Sequence, residues 1–196
     1  MNAHVQIGPV QTSQDVTPAR YRLSTADYLL LHERGSFRDL ETELVDGEVY
    51  LMSPEWRPHM RIKFEIAYLL RRALDEADIP YSVGTEGSVA LSDTDMPRPD
   101  VLLTSEIVGE GAVPSTTVPL LVEVSSTTLE EDLNRKSVRY AAAGIPEYWV
   151  ADVNGRTIHR MWSPRDAEYR ERDEVAFGQR LSSATIVGLA IETLSL

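Results

Sequence analysis

The hydrophobic pattern of the chain changes period several times after Tyr21, and each change marks an element. Residues 1–20 carry Gly, Pro, Gln, Ser and Thr without periodicity and read as a flexible leader. Ser24-Thr25 caps a first helix through Ala26, Leu29, Leu30 and Glu33, with Gly35 placed to end it. Thr42–Val45 and Glu48–Met52 are β-prone runs around Asp46-Gly47, the signature of a two-residue type I′ hairpin. From His59 to Asp78 the positions Ile62, Ile66, Leu69, Leu70, Ala73 and Ala77 follow helical spacing until Pro80. Three short apolar runs follow, Tyr81–Val83, Ser88–Leu91 and Val101–Leu103, and then Pro119–Ser125, continuous enough to be a central strand. A second long helix is predicted over Leu129–Ala143, stopped by Gly144. Glu147–Asp152 and Thr157–Trp162 read as strands about an Asn154-Gly155 turn, and the tail, with Tyr169, Val175–Phe177 and Ile186–Leu194, adds short strands. No repeat and no long linker interrupts the pattern. Residues 21–196 therefore read as one α+β domain, a mixed sheet flanked by two long helices and carrying β-hairpins.

Composition narrows the chemistry. Against 31 Asp and Glu stand 19 Lys and Arg, a net charge of −12, and there is no cysteine. Disulfides, thiolate metal sites and cysteine nucleophiles are excluded, which leaves Asp, Glu and His as metal ligands. The first twenty residues lack a basic region followed by an apolar core, and no run approaches the roughly 18 apolar residues of a membrane span, so a cytoplasmic protein without membrane contact is expected. The acidic balance argues against bulk coating of nucleic acid, so any such contact must be local. Only Lys63 and Lys136 of the basic residues are lysine; the rest are arginine.

Against this background a few residues stand out. Glu123 lies between Val122 and Val124 in the most apolar strand, where an unpaired carboxylate costs several kcal/mol and demands protonation, a basic partner or a metal ion. A structural ion pair or a place at the strand end are the plainer readings. Asp100 opens the run Val101–Leu103 after Pro99; alone it reads as a turn residue, but beside Glu123 it would supply a second hard oxygen ligand for a cation such as Mg²⁺. Leu129, Leu133, Lys136 and Tyr140 form one helical stripe, which sets Lys136 on the inward face, unless it merely makes a solvated i,i+4 pair with Asp132. Glu43 alternates with Leu44 as an exposed strand residue would, and His59 falls near a helix start, where capping is the ordinary role. Arg61 and Lys63 on one helix and Arg135 and Arg139 on the other are the basic residues available for a local positive track.

Taken in order, Glu43-Leu44-Val45-Asp46-Gly47-Glu48, Met52-Ser53-Pro54, His59, Pro99-Asp100-Val101, Val122-Glu123-Val124-Ser125, Asp132, Lys136, Tyr140, Gly144 to Trp149 and Asp152 resemble the Uma-type restriction endonuclease family. That family belongs to the PD-(D/E)XK nuclease superfamily, and the resemblance spans residues 21–194. It implies a restriction-endonuclease-like, α/β/α-like core in which Asp100 and Glu123 bind metal. Ser125 stands where the literal motif has lysine, and Lys136 on the following helix matches the lysine role instead. Glu43 matches an acid that completes such sites, and His59 matches a recurrent histidine. The implied activity is Mg²⁺-dependent hydrolysis of phosphodiester bonds, with Mn²⁺ as a substitute. Asp100, Glu123, Lys136 and Glu43 would be catalytic; His59, Arg61, Lys63, Arg135 and Arg139 would hold the substrate, a nucleic acid with DNA the first expectation. A homodimer would suit double-strand cleavage. The rival reading is a catalytically inactive nuclease-fold binding or assembly module that acts through protein partners, which the acidic charge favours; a metal-dependent hydrolase of another substrate is the third.

Overall fold

The computed structural model describes residues 20–196, so the expected leader, up to its last residue, lies outside the described residues. Helix α1 (Thr25–Glu33) opens with a capping box in which Ser24 and Asp27 exchange side-chain and backbone hydrogen bonds, and Gly35 follows it at φ +76°. Strands β1 (Thr42–Val45) and β2 (Glu48–Leu51) pair about Asp46 and Gly47, both at positive φ, as a type I′ turn requires. Helix α2 (Arg57–Glu76) buries Ile62, Ile66, Leu69, Leu70, Ala73 and Leu74. The remaining strands are β3 (Ser82–Thr85), β4 (Val89–Ala90), β5 (Val101–Thr104), β6 (Val113–Pro114), β7 (Leu120–Ser125), β8 (Glu147–Asp152), β9 (Thr157–Arg165), β10 (Glu168–Ala176), β11 (Arg180–Ser182) and β12 (Ala190–Glu192).

Six of them form one sheet in the order β10-β9-β8-β7-β5-β3. Only β7 and β8 run parallel, because a helical segment over Leu129–Ala142, α3, crosses between them; every other neighbour is antiparallel, so the sheet is mixed. Strand β7 sits inside the sheet and is buried at all six residues. Alternation sends Leu120, Val122 and Val124 into the layer under α2, with Val101, Leu103 and Trp149, and Leu121 into the layer under α3, with Tyr140, Tyr148 and Val150. Glu123, between Val122 and Val124, belongs to the α3 side. Fully burying each large apolar side chain contributes roughly 1.5–3 kcal/mol, and these two layers hold most of them.

The structure departs from the pattern in three places. Helix α3 is α-helical over Leu129–Glu131 and Ser137–Ala142 but makes a π-helical turn over Asp132–Lys136. The wider turn frees backbone carbonyls, and side chains take them: Tyr148 Oη donates to Asp132 O (3.1 Å), and Ser137 Oγ to Leu133 O and Asn134 O (2.7 and 2.9 Å). The β8–β9 loop has four residues, 153–156, and the positive φ falls on Arg156, not on Gly155. The tail holds a long hairpin, β9–β10, turning on Asp166 and Ala167, both at positive φ with no glycine; β11 and β12 then form a separate pair. Glu147, at the start of β8, is fully buried as an acceptor for Trp149 Nε1 (2.6 Å), Ser183 Oγ (2.6 Å), Thr185 Oγ1 (2.8 Å) and the N–H groups of Ala184 and Thr185 (3.0 Å), and so ties the 183–185 loop to the sheet.

Candidate active site

Register brings the two acids together. Val101 pairs with Val122 in the antiparallel β5–β7 ladder, so one residue further Asp100 comes opposite Glu123. At that point β5 has ended, and the side chain of Asp100 replaces a backbone partner: Val124 N donates to Asp100 Oδ2 at 2.7 Å. Asp100 thus stands at the edge of the core, while Glu123 is 4 % exposed within it.

Glu123 has two contacts that compensate its burial. Tyr140 Oη donates to Glu123 Oε1 at 2.6 Å, and Lys136 Nζ lies 3.1 Å from Glu123 Oε2. The same ammonium lies 3.0 Å from Asp132 Oδ1, and Asp132 Oδ2 accepts from Thr128 Oγ1 at 2.7 Å. Asp132 is itself buried, so its i,i+4 pair with Lys136 is an interior one, not a solvated one. The π-helical turn holds both residues on the side facing Glu123. Burial pushes the Glu123 carboxyl up, Lys136 opposes it, and the nearby Asp100 and Asp132 add to it, leaving it at about 8. Burial works against the charge on Lys136, but Glu123 and Asp132 overcome it and hold the ammonium above its usual range.

On the other side of Asp100 stands a second group. His59 Nε2 is 3.2 Å from Asp100 Oδ2, and its Nδ1 is 2.9 Å from Glu55 Oε1, though misaligned for a hydrogen bond. Burial alone would depress His59, but the hydrogen bond and charge of Asp100, with the charge of Glu55, hold it above its usual value. One turn on, Lys63 Nζ contacts Glu55 and lies 2.6 Å from Glu86 Oε1. Donor atoms of Glu55, His59 and Asp100 all lie within 4.8 Å of one another, close enough for one metal ion. Glu43 is half-buried on β1 and accepts from Arg98 N at 3.3 Å, and its charge reaches Tyr140.

Asp100, Glu123, Lys136, His59 and Lys63 therefore share one region of the fold, with Glu43 at its border. The four basic candidates for a positive track each have a partner within the chain. Lys63 is buried between two carboxylates, and Arg139 is held by Asp95 (2.9 Å) and Asp46 (3.4 Å). Arg135 makes an exposed pair with Glu131, and Arg61 donates to Ser195 O (2.8 Å) at the C-terminal turn. His59 does not cap α2, because the helix begins two residues earlier, at Arg57-Pro58, with Trp56 before it. Two members of the region, Glu55 and Glu86, carry no reading from the sequence, and Asp132 carries only that of a partner for Lys136. Glu55–His59–Lys63 and Asp132–Lys136 do carry an i,i+4 signal, whereas Glu86 arrives only through the β3–β5 pairing.

Residues 25–195 match the model of the family described as Uma2, "Putative restriction endonuclease". The chain belongs to the Uma2 family. Among solved structures this Uma2 chain is similar to one described as a "putative nuclease belonging to DUF820" from Anabaena variabilis, with a TM-score of 0.65 at 13 % identity over 88 % of this chain and 96 % of that one. At that identity the likeness concerns the fold, a mixed sheet between helices. No curated protein matches the sequence. Among the described residues of this Uma2 chain, no helix is long and apolar enough to cross a membrane.

Proposed function

We propose that this chain is a divalent-cation-dependent endonuclease that hydrolyses phosphodiester bonds of nucleic acid, DNA in the first instance, from the cytoplasm. The observation that carries the reading is the β5–β7 register, which sets Asp100 against Glu123 with the Lys136 ammonium on the same carboxylate. The donor set fits a hard cation: carboxylate oxygens dominate it, and the buried Asp132 Oδ1 is met by a cation already, the Lys136 ammonium at 3.0 Å. Asp100 and Glu123 would hold Mg²⁺, or Mn²⁺ in its place, with Glu55 and His59 near enough to Asp100 to share in binding. Bound there, the ion supplies Lewis acidity and a more acidic water. The chain supplies the rest. Lys136 orients the attacking water or meets the charge that grows on the phosphate; Tyr140 fixes the Glu123 carboxyl through its hydroxyl; His59 fixes Asp100 from the opposite side. Glu43 stands near enough to tune this group through its charge.

The test is cleavage of a supercoiled plasmid with Mg²⁺ or Mn²⁺, with and without chelator, by the native chain and by Glu123→Ala. Chelator-sensitive nicking that the substitution abolishes, with circular dichroism unchanged, supports the reading; an equally active variant removes this site from the reaction. One observation favours the inactive binding module: Lys63 and Arg139 are already paired with internal acids, which leaves little free positive charge for a phosphate backbone. Calorimetric titration of Mg²⁺ and Mn²⁺ separates the two, since the module predicts no heat of binding for either ion.

A further inference from the structure

Helix α2 turns one face to the core, but a second face is also apolar. Trp56, just before its first residue, then Met60, Phe64 and Tyr68 recur every four residues and are 75, 52, 69 and 51 % exposed. These four make a continuous i±4n ridge, the feature that interlocks with another helix in the commonest class of helix packing. The ridge alone presents on the order of 500 Å² of contiguous apolar surface, the size of the largest patch on a typical monomer, which is itself often an interaction site.

We propose that this ridge is the interface of a two-fold homodimer in which α2 packs antiparallel against α2 of a second copy. Two features of the helix select a second copy as the occupant. The first is charge. Arg61 and Glu65 lie along one edge of the ridge, and among the described residues neither has an ionic partner: Arg61 donates only to Ser195 O, and Glu65 is in no ion pair. An antiparallel pairing centred on the middle of the ridge brings Arg61 beside the partner's Glu65, and the two-fold axis repeats the pair in reverse. An isologous contact needs just such a self-complementary pattern, apolar along the ridge and opposite in sign about its centre. The second is area. Two ridges bury roughly 1,000 Å² between them, which reaches the lower bound of a specific interface before the flanking arginines and the exposed Leu194 beside Ser195 are included. The proposal concerns the outer face of α2 and stands whichever chemistry the Asp100–Glu123 region performs; His59 and Lys63 sit on the inner side of the same helix, so each site would lie close to the dimer axis.

Sedimentation equilibrium of the full chain tests it, over low to high micromolar concentrations and at two salt concentrations. The expected mass is twice the 21.9 kDa of one chain. Phe64→Asp should weaken self-association roughly a hundredfold or more, because both copies lose a buried aromatic and gain a charge. Arg61→Glu should weaken it about tenfold, and Arg61→Glu with Glu65→Arg should restore it, which separates the charge pair from loss of fold; thermal melting of each variant gives an independent check on folding. A chain monomeric at every concentration overturns the proposal, as does a dimer indifferent to Phe64→Asp and Arg61→Glu. If Trp56→Ala or Phe64→Ala weakens single-stranded DNA binding while the mass stays that of one chain, the ridge is a stacking surface and the proposal fails.

Discussion

Glutamine at position 123 keeps the shape of the side chain and takes away its proton equilibrium, which makes stability against pH a direct reading of the site. In the metal-free chain burial, with Asp100 and Asp132 nearby, raises the Glu123 carboxyl to about 8 against the pull of Lys136, whereas in the unfolded chain it returns to 4.5. An acid with a raised folded-state value binds its proton more tightly when folded. Between those two values the folded state holds a proton that the unfolded state has released, so native stability falls as pH rises through the window and levels off beyond it. At about 1.4 kcal/mol for each tenfold difference in proton affinity, the whole window is worth on the order of a few kcal/mol, with no large discount for solvent because the side chain is almost wholly buried. Glu123→Gln lacks this dependence. Urea unfolding of both chains, with chelator present, at a series of pH values from about 4.5 to about 8 should therefore give curves that diverge, the variant gaining on the native chain as pH rises. Groups away from position 123 titrate alike in the two proteins, and Lys136 and Tyr140, which Glu123 raises, titrate above this window in the native chain. Saturating Mg²⁺ should then narrow the gap near the top of the window, stabilising the native chain by roughly 2.7 kcal/mol at a hundredfold excess over its dissociation constant and leaving the variant nearly unchanged. Parallel curves, or equal stabilisation of both chains by Mg²⁺, would refute the assignment of Glu123 as a buried, cation-seeking carboxyl.

Two further outcomes follow from contacts already described. Lys136→Met leaves Glu123 and Asp132 buried without their shared ammonium; it should lower kcat about 10²–10³-fold with little change in KM and cost roughly 3–5 kcal/mol of stability, as read by steady-state kinetics and urea unfolding. Glu147→Ala strands the donors of Trp149, Ser183, Ala184 and Thr185; it should lower Tm by roughly 6–12 °C in a thermal melt while metal affinity by calorimetry stays that of the native chain.

How much of the site could be read in advance depended on how far apart in sequence its causes lie. Glu123 was visible because a carboxylate in a six-residue apolar strand breaks a local pattern, and Lys136 because it interrupts an apolar stripe; both anomalies lie within one element. The type I′ turn at Asp46-Gly47 and the capping box at Ser24 are likewise local chemistry, and the structure has both. The hairpin turn at Asp166-Ala167 carries no glycine and gave no signal. The π-helical turn was hidden for a different reason: Leu129, Leu133, Lys136 and Tyr140 fit ordinary helical spacing, and what makes the wider turn tolerable is a hydroxyl from β8, Tyr148, together with Ser137. The partners of the basic residues were not legible in the sequence. Arg61, Lys63 and Arg139 looked free because Ser195, Glu86 and Asp95 meet them only after folding.

That same pairing recasts the meaning of the net charge of −12. Within the region around Asp100 stand the carboxyls of Glu43, Glu55, Glu86, Asp100, Glu123 and Asp132 against the three bases His59, Lys63 and Lys136. Each base there is already engaged by at least two of the acids, so the region by itself repels a phosphate. A divalent cation between Asp100 and Glu123 would offset two of the three surplus charges, release Lys136 from part of its attachment and offer an anionic substrate a positive centre. Acidity of the chain and an anionic substrate are then compatible, on the condition that the cation binds first. The order is testable: nucleic-acid affinity of a cleavage-resistant oligonucleotide should rise with Mg²⁺ or Ca²⁺ and be nearly absent in chelator, and equal affinity with and without the ion would break the argument.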